Sequence, residues 1–112
     1  MSLIAFALAA ALSHAAPDPA AENEKDLRCI ALIAQIIPSA EGEAKSGLVG
    51  GLMYFLGRIE GRTPGYGLET NLNRLLTSKA DLTGDRDRCA TILTEKGNEL
   101  IAIGKRATDA GH

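Results

Sequence analysis

Along this chain apolar residues recur at steps of three and four, the spacing of one face of an α-helix, and nowhere do they alternate with polar residues in the two-residue period of a strand. Four stretches carry the helical pattern. The first opens at Glu22 and brings Leu27, Ile30, Ala31, Ala34 and Ile37 onto one side until Pro38 stops it, while Cys29, Leu32, Ile33 and Ile36 fill the other side. Being apolar on both sides, this helix is expected at the centre of the fold. Its acidic opening, with Glu22, Glu24 and Asp26, suits the positive end of the helix dipole.

A second helix starts between Ala40 and Ser46 and runs to about Arg62, with Leu48, Leu52, Phe55, Leu56 and Ile59 inward and Val49 and Met53 widening the stripe. Gly47, Gly50, Gly51, Gly57 and Gly61 interrupt it, each at about 1 kcal/mol relative to alanine, so their number requires a reason. Residues 63–67 (TPGYG) break the pattern, and a third helix over 68–79 turns Leu68, Leu72, Leu75 and Leu76 inward. After a second break at 81–85, Asp85 or Thr83 is placed to cap a fourth helix reaching about Thr108. There Cys89, Ile92, Leu93, Leu100, Ile103 and Ala107 hold one face, and Gly97 and Gly104 leave gaps. The expected fold is all-α, a small four-helix bundle-like domain.

The chain begins with a different pattern. Residues 3–12 are unbroken apolar sequence of h-region length, and Ser13 and Ala15 place small residues at −3 and −1 of an A-x-A-like cleavage site. Residues 1–15 are therefore read as a signal peptide, although no Lys or Arg precedes the apolar run. Residues 16–21, rich in Pro and Ala, read as a flexible lead, and 22–112 as the four-helix domain. The expected location is periplasmic or secreted. In an oxidising compartment Cys29 and Cys89, the only cysteines, are expected to pair, closing a loop whose chain entropy is worth roughly 3 to 5 kcal/mol. Neither the first apolar run nor the apolar middle of the second helix reaches the roughly 20 residues that span a bilayer, so no stable membrane insertion is expected.

Charge and composition narrow the chemistry. Twelve Lys and Arg face fourteen Asp and Glu, for a net charge of −2, and the signs alternate without a basic stripe. Tryptophan is absent and there are two Phe and two Tyr, so neither the electrostatic footprint nor the stacking platform of a nucleic-acid binder is present. The only histidines are His14, in the signal, and His112, at the carboxyl end, which leaves no internal imidazole base for a Ser or Cys nucleophile. Glu41 with Glu43, Asp85 with Asp87 and Glu95 with Glu99 read as solvated charges rather than paired catalytic acids. Asp81, Gly84, Asp85 and Asp87 depart from the calcium-loop spacing, because the glycine precedes the second acid. No catalytic residue, cofactor or metal is expected, and the chain reads as a non-enzyme.

Two clusters remain. Gly47, Gly50, Gly51, Met53 and Gly57 mark a face where another backbone could approach closely, whether from this chain, a protein client or a second copy. Tyr54, Arg58, Arg62 and Tyr66 combine guanidinium and aromatic groups in a manner suited to an anionic ligand, or to a core phenylalanine beside a rim paired with Glu60 and Glu69.

Residues 26–29 (DLRC), 51–58 (GLMYFLGR) and the Arg88-Cys89 pair resemble a group of small exported alphaproteobacterial proteins. That resemblance implies an architecture and a location, and brings no catalytic residue with it. The export signal, domain size, four helices and single disulfide are also similar to the Hde-type periplasmic acid-stress chaperones, though the separation of the cysteines is longer than theirs. That likeness implies a dimer folded at neutral pH that exposes apolar surface to clients in acid. The resulting expectation is a non-enzymatic exported interaction or stress protein that binds clients in a chaperone-like way, with a small-ligand (anion) binding module as the alternative.

Overall fold

The computed structural model describes residues 17–111, and the expected signal peptide lies outside the described residues. Those residues form four helices and no strand: α1 (Pro19–Ile36), α2 (Gly42–Arg62), α3 (Leu68–Thr77) and α4 (Arg86–Asp109). Single 3-10 turns, Ile37–Ser39 and Thr83–Asp85, lead into the connections before α2 and α4.

Local chemistry sets most boundaries. The Asp18 carboxylate accepts the Ala20 N–H at 3.1 Å, and Pro19 occupies the first turn, where its missing N–H costs nothing. Helix α1 thus opens three residues before Glu22 and takes in part of the segment read as a flexible lead. Glu41 gives α2 no side-chain cap, and Gly42 adopts φ 59°, a left-handed conformation that favours glycine and fixes where the helix can begin. Helix α3 stops at Thr77 rather than Lys79, because Lys79 itself turns left-handed at φ 55° and returns its N–H to Leu76.

Helix α1 is the central one. Leu27, Cys29, Ile30, Ala31 and Ile33 are all buried on it, at angles that no single helical face can hold. Helix α2 lies antiparallel against α1, since its end (Arg62) meets Asn23 and Asp26 while its middle (Gly51) meets Ile33. Phe55 and Ile59 are its fully buried residues, and Leu75 is that of α3. The Cys29–Cys89 disulfide joins α1 to the first turn of α4, the covalent link expected from the sequence.

Helix α4 departs from the pattern. Cys89 is buried and Ile92 and Leu93 are half-buried, yet every residue from Asn98 to Gly111 is exposed. Leu100, Ile103 and Ala107, read as inward, therefore point into solvent. Periodicity tells which side of a helix is apolar, whereas burial needs side chains of a neighbouring helix at the same height, and from Asn98 onward no residue of α4 is covered by one.

Candidate functional site

The tightest polar construction is the seam between α1 and α2. Asp26, only 1% exposed, accepts from Arg62 Nη2 at 2.5 Å and lies 3.2 Å from Arg58 Nε. Arg62 Nη1 donates to Asn23 Oδ1 at 2.8 Å, and Asn23 Nδ2 donates to Thr63 Oγ1 at 2.8 Å. Two guanidiniums thus compensate one buried acid, as the cost of burying a charge demands, and the Asn23 carboxamide holds one of them in place. Arg58 also stacks against Tyr54, its guanidinium carbon 5.6 Å from the ring centroid.

This arrangement redistributes the expected anion cluster. Tyr54, Arg58 and Arg62 do come together, but the partner of the two arginines is Asp26, not Glu60 or Glu69, and that carboxylate offsets one of their two charges. Tyr66 stands apart from them, in an open cleft of about 550 Å³ bounded by Asp18, Asn23, Glu24 and Asn71. Burial, and then the Glu24 carboxylate, push its hydroxyl above the ordinary tyrosine value, while Arg74 pulls the other way. The ionisable walls of this cleft are Asp18 and Glu24, the latter paired with Arg74, and no Lys or Arg lines it to hold an anion. Sequence reasoning missed Asp26 by assigning it to the dipole. The signal was its place three residues after Asn23 and four before Ile30, on a continuation of the apolar stripe.

A second network flanks the disulfide. Arg28 Nε donates to Asp85 Oδ2 at 2.7 Å and Arg28 Nη2 to the Asp81 carbonyl at 2.6 Å, while Arg88 Nη2 reaches Asp85 Oδ1 at 2.8 Å and the Lys25 carbonyl at 3.1 Å. Asp85 stands at the N-cap position of α4, but its carboxylate serves these arginines and caps no backbone N–H. Nor does Thr83 cap α4, since its hydroxyl and N–H both donate to Asp81. Burial raises the Asp85 carboxyl, but hydrogen bonds from Arg88 and Arg28, with their charges, outweigh it and hold Asp85 below its ordinary value.

The glycine face divides in two. A Cβ on Gly51 would come within 2.9 Å of Leu93 Cδ1 and 3.2 Å of Ile33 Cδ1, so this glycine lets α1, α2 and α4 cross. Gly47, Gly50, Gly57 and Gly61 would meet nothing within 4 Å. Gly47 and Gly50 instead border a groove of about 240 Å³ between α2 and α4, closed on the other side by Gly97 and Leu100. Met53, 67% exposed, belongs to a different groove of about 290 Å³, whose walls are Ile30 and Ala34 of α1, Leu52 and Leu56 of α2, and Leu68 and Leu72 of α3.

Among the described residues no group of three or more His, Cys, Asp and Glu could hold a metal ion, and no helix is long and apolar enough to cross a membrane. No protein-family model matches the chain, and comparison with curated proteins and with solved structures finds no significant similarity.

Proposed function

We propose that this protein is a non-enzymatic binding module, exported to an oxidising compartment, that takes an apolar segment of a client protein into the groove roofed by Met53. The observation that carries this reading is the groove itself, three helices presenting aliphatic side chains to an opening with a flexible thioether at its rim. Methionine adapts to irregular apolar partners, which suits a surface that must accept different clients. The disulfide supports an oxidising location, where such bonds persist. Acid would favour the same activity, because Asp85, held below its ordinary value by Arg88 and Arg28, gives up that pairing once protonated and loosens the contact between α1 and the start of α4.

The test is light scattering of an aggregating client, reduced α-lactalbumin at neutral pH and an acid-unfolded protein at low pH, with and without the purified oxidised protein. Suppression is expected in both and should be lost on Met53→Asp, which lies outside the buried core and leaves the fold intact. Aggregation unchanged by the parent protein at either pH ends the proposal.

A further inference from the structure

Sulfur is scarce in this chain and unevenly exposed. Of its two cysteines and two methionines, Cys29, Cys89 and Met53 fall among the described residues. Both cysteines are buried and tied up in the disulfide, whereas Met53 is 67% exposed. Among the described residues, an oxidant arriving from solvent therefore meets a single accessible sulfur, the Met53 thioether.

Helix α2 leaves that thioether bare. The residues one turn away from Met53 are Val49 and Gly50 on one side and Leu56 and Gly57 on the other, so two of the four carry no side chain to shield it. A methyl added at Gly50 or Gly57 would meet nothing within 4 Å, so packing requires neither glycine. What they leave is room around the sulfur. Met53 also stands where a change of polarity matters. The other walls of its groove, among them Ile30, Leu52, Leu56 and Leu68, are aliphatic, and none of these side chains can donate a hydrogen bond.

We propose that Met53 is a modification site, where a two-electron oxygen donor of the hydroperoxide class converts the thioether to its sulfoxide and closes the groove to apolar partners. A sulfur lone pair attacks one oxygen of hydrogen peroxide, and the S–O bond forms as the O–O bond breaks. The departing hydroxide takes the proton of the transferred oxygen and leaves as water, so Met53 is oxidised and the peroxide reduced. In the open groove, water solvates the new sulfoxide oxygen. An apolar segment seated against it strips that water and offers no donor in exchange, which weakens binding. The fold is unaffected, because the sulfur lies outside the core. This inference rests on the reading of the Met53 groove as the binding surface, and adds control by oxidant to it.

Treating the purified full chain with hydrogen peroxide tests it, with peptide mass mapping to follow Met53 and the apolar dye N-phenyl-1-naphthylamine to report occupation of the groove. Met53 should gain one oxygen at a rate within about threefold of methionine in a short unstructured peptide. The dye should then bind about tenfold more weakly, while the far-UV melting midpoint stays where it was. Met53→Leu, compared with itself before and after peroxide, should show no change in dye binding, which separates Met53 from Met1. Oxidation of Met53 more than about tenfold slower than in the peptide overturns the proposal. So does dye uptake that is absent in the parent, unchanged by the sulfoxide or lowered equally in the leucine variant, and so does a sulfoxide form that melts early. A parent whose dye binding responds to peroxide as expected but which leaves clients aggregating ends the client reading and not this one. Fully oxidised protein that still suppresses aggregation overturns this proposal and leaves the client reading intact.

Discussion

Replacing Asp26 with Asn removes one charge from the α1–α2 seam and almost nothing from its volume. In the parent, Asp26 is nearly inaccessible, while the side chains of Arg62 and Arg58 keep 24% and 31% exposure. Truncating one partner of a fully buried pair costs about 3–5 kcal/mol, mostly because the other charge is stranded without water. Here both guanidiniums can rehydrate, so the loss should approach that of the charge-assisted hydrogen bonds themselves, about 2–3 kcal/mol. For a domain of this size that is a fall in Tm of about 10–20 °C. Urea unfolding followed by circular dichroism at 222 nm measures it, with an unchanged slope showing that the same surface is exposed. Arg74→Ala serves as the contrast, because the Glu24–Arg74 pair is half in solvent and should contribute less than about 1 kcal/mol. If Asp26→Asn fell within about 0.5 kcal/mol of the parent, or Arg74→Ala cost as much, burial would not be what gives the seam its strength.

Reducing the disulfide, or replacing both Cys29 and Cys89 with Ala, should lower stability by about 4 kcal/mol, the chain-entropy value for a separation of 60 residues. Denaturant midpoints with and without reductant measure it, and coincident curves would refute the estimate. Gly51→Ala should destabilise by about 1–3 kcal/mol, because its methyl meets Leu93 and Ile33, whereas Gly57→Ala should stabilise by about 0.5–1 kcal/mol in open space. Thermal melts showing the same sign for both would contradict the crossing geometry. Asp85 is depressed in the folded state, so its contribution is fully present above the unfolded carboxylate value of about 3.9 and is lost as pH falls from there through the folded value. Asp85→Asn should therefore flatten the acid limb of the stability curve below about pH 4, and an identical limb would show that Arg28 and Arg88 do not act through this acid.

The sequence by itself determined the four helices, the central place of α1 and the pairing of Cys29 with Cys89. The helices rest on information carried within one or two turns of chain, namely the three-and-four spacing of aliphatics, Pro38 as a stop and the TPGYG break, and the pairing rests on the chain's having two cysteines with no competitor. Boundaries were less legible where a backbone angle decided them, as at Gly42 and Lys79. Only the tertiary structure decided which charges are buried and which apolar residues are not. Asp26 looked like an ordinary acid in a helix's first turns until α2 brought Arg58 and Arg62 over it. Leu100 and Ile103 share the same periodic face as Cys89 and Leu93, and differ from them solely in having no helix beside them. Burial is a property of what lies opposite a residue, and a chain specifies that through contacts dozens of residues away rather than through its local pattern.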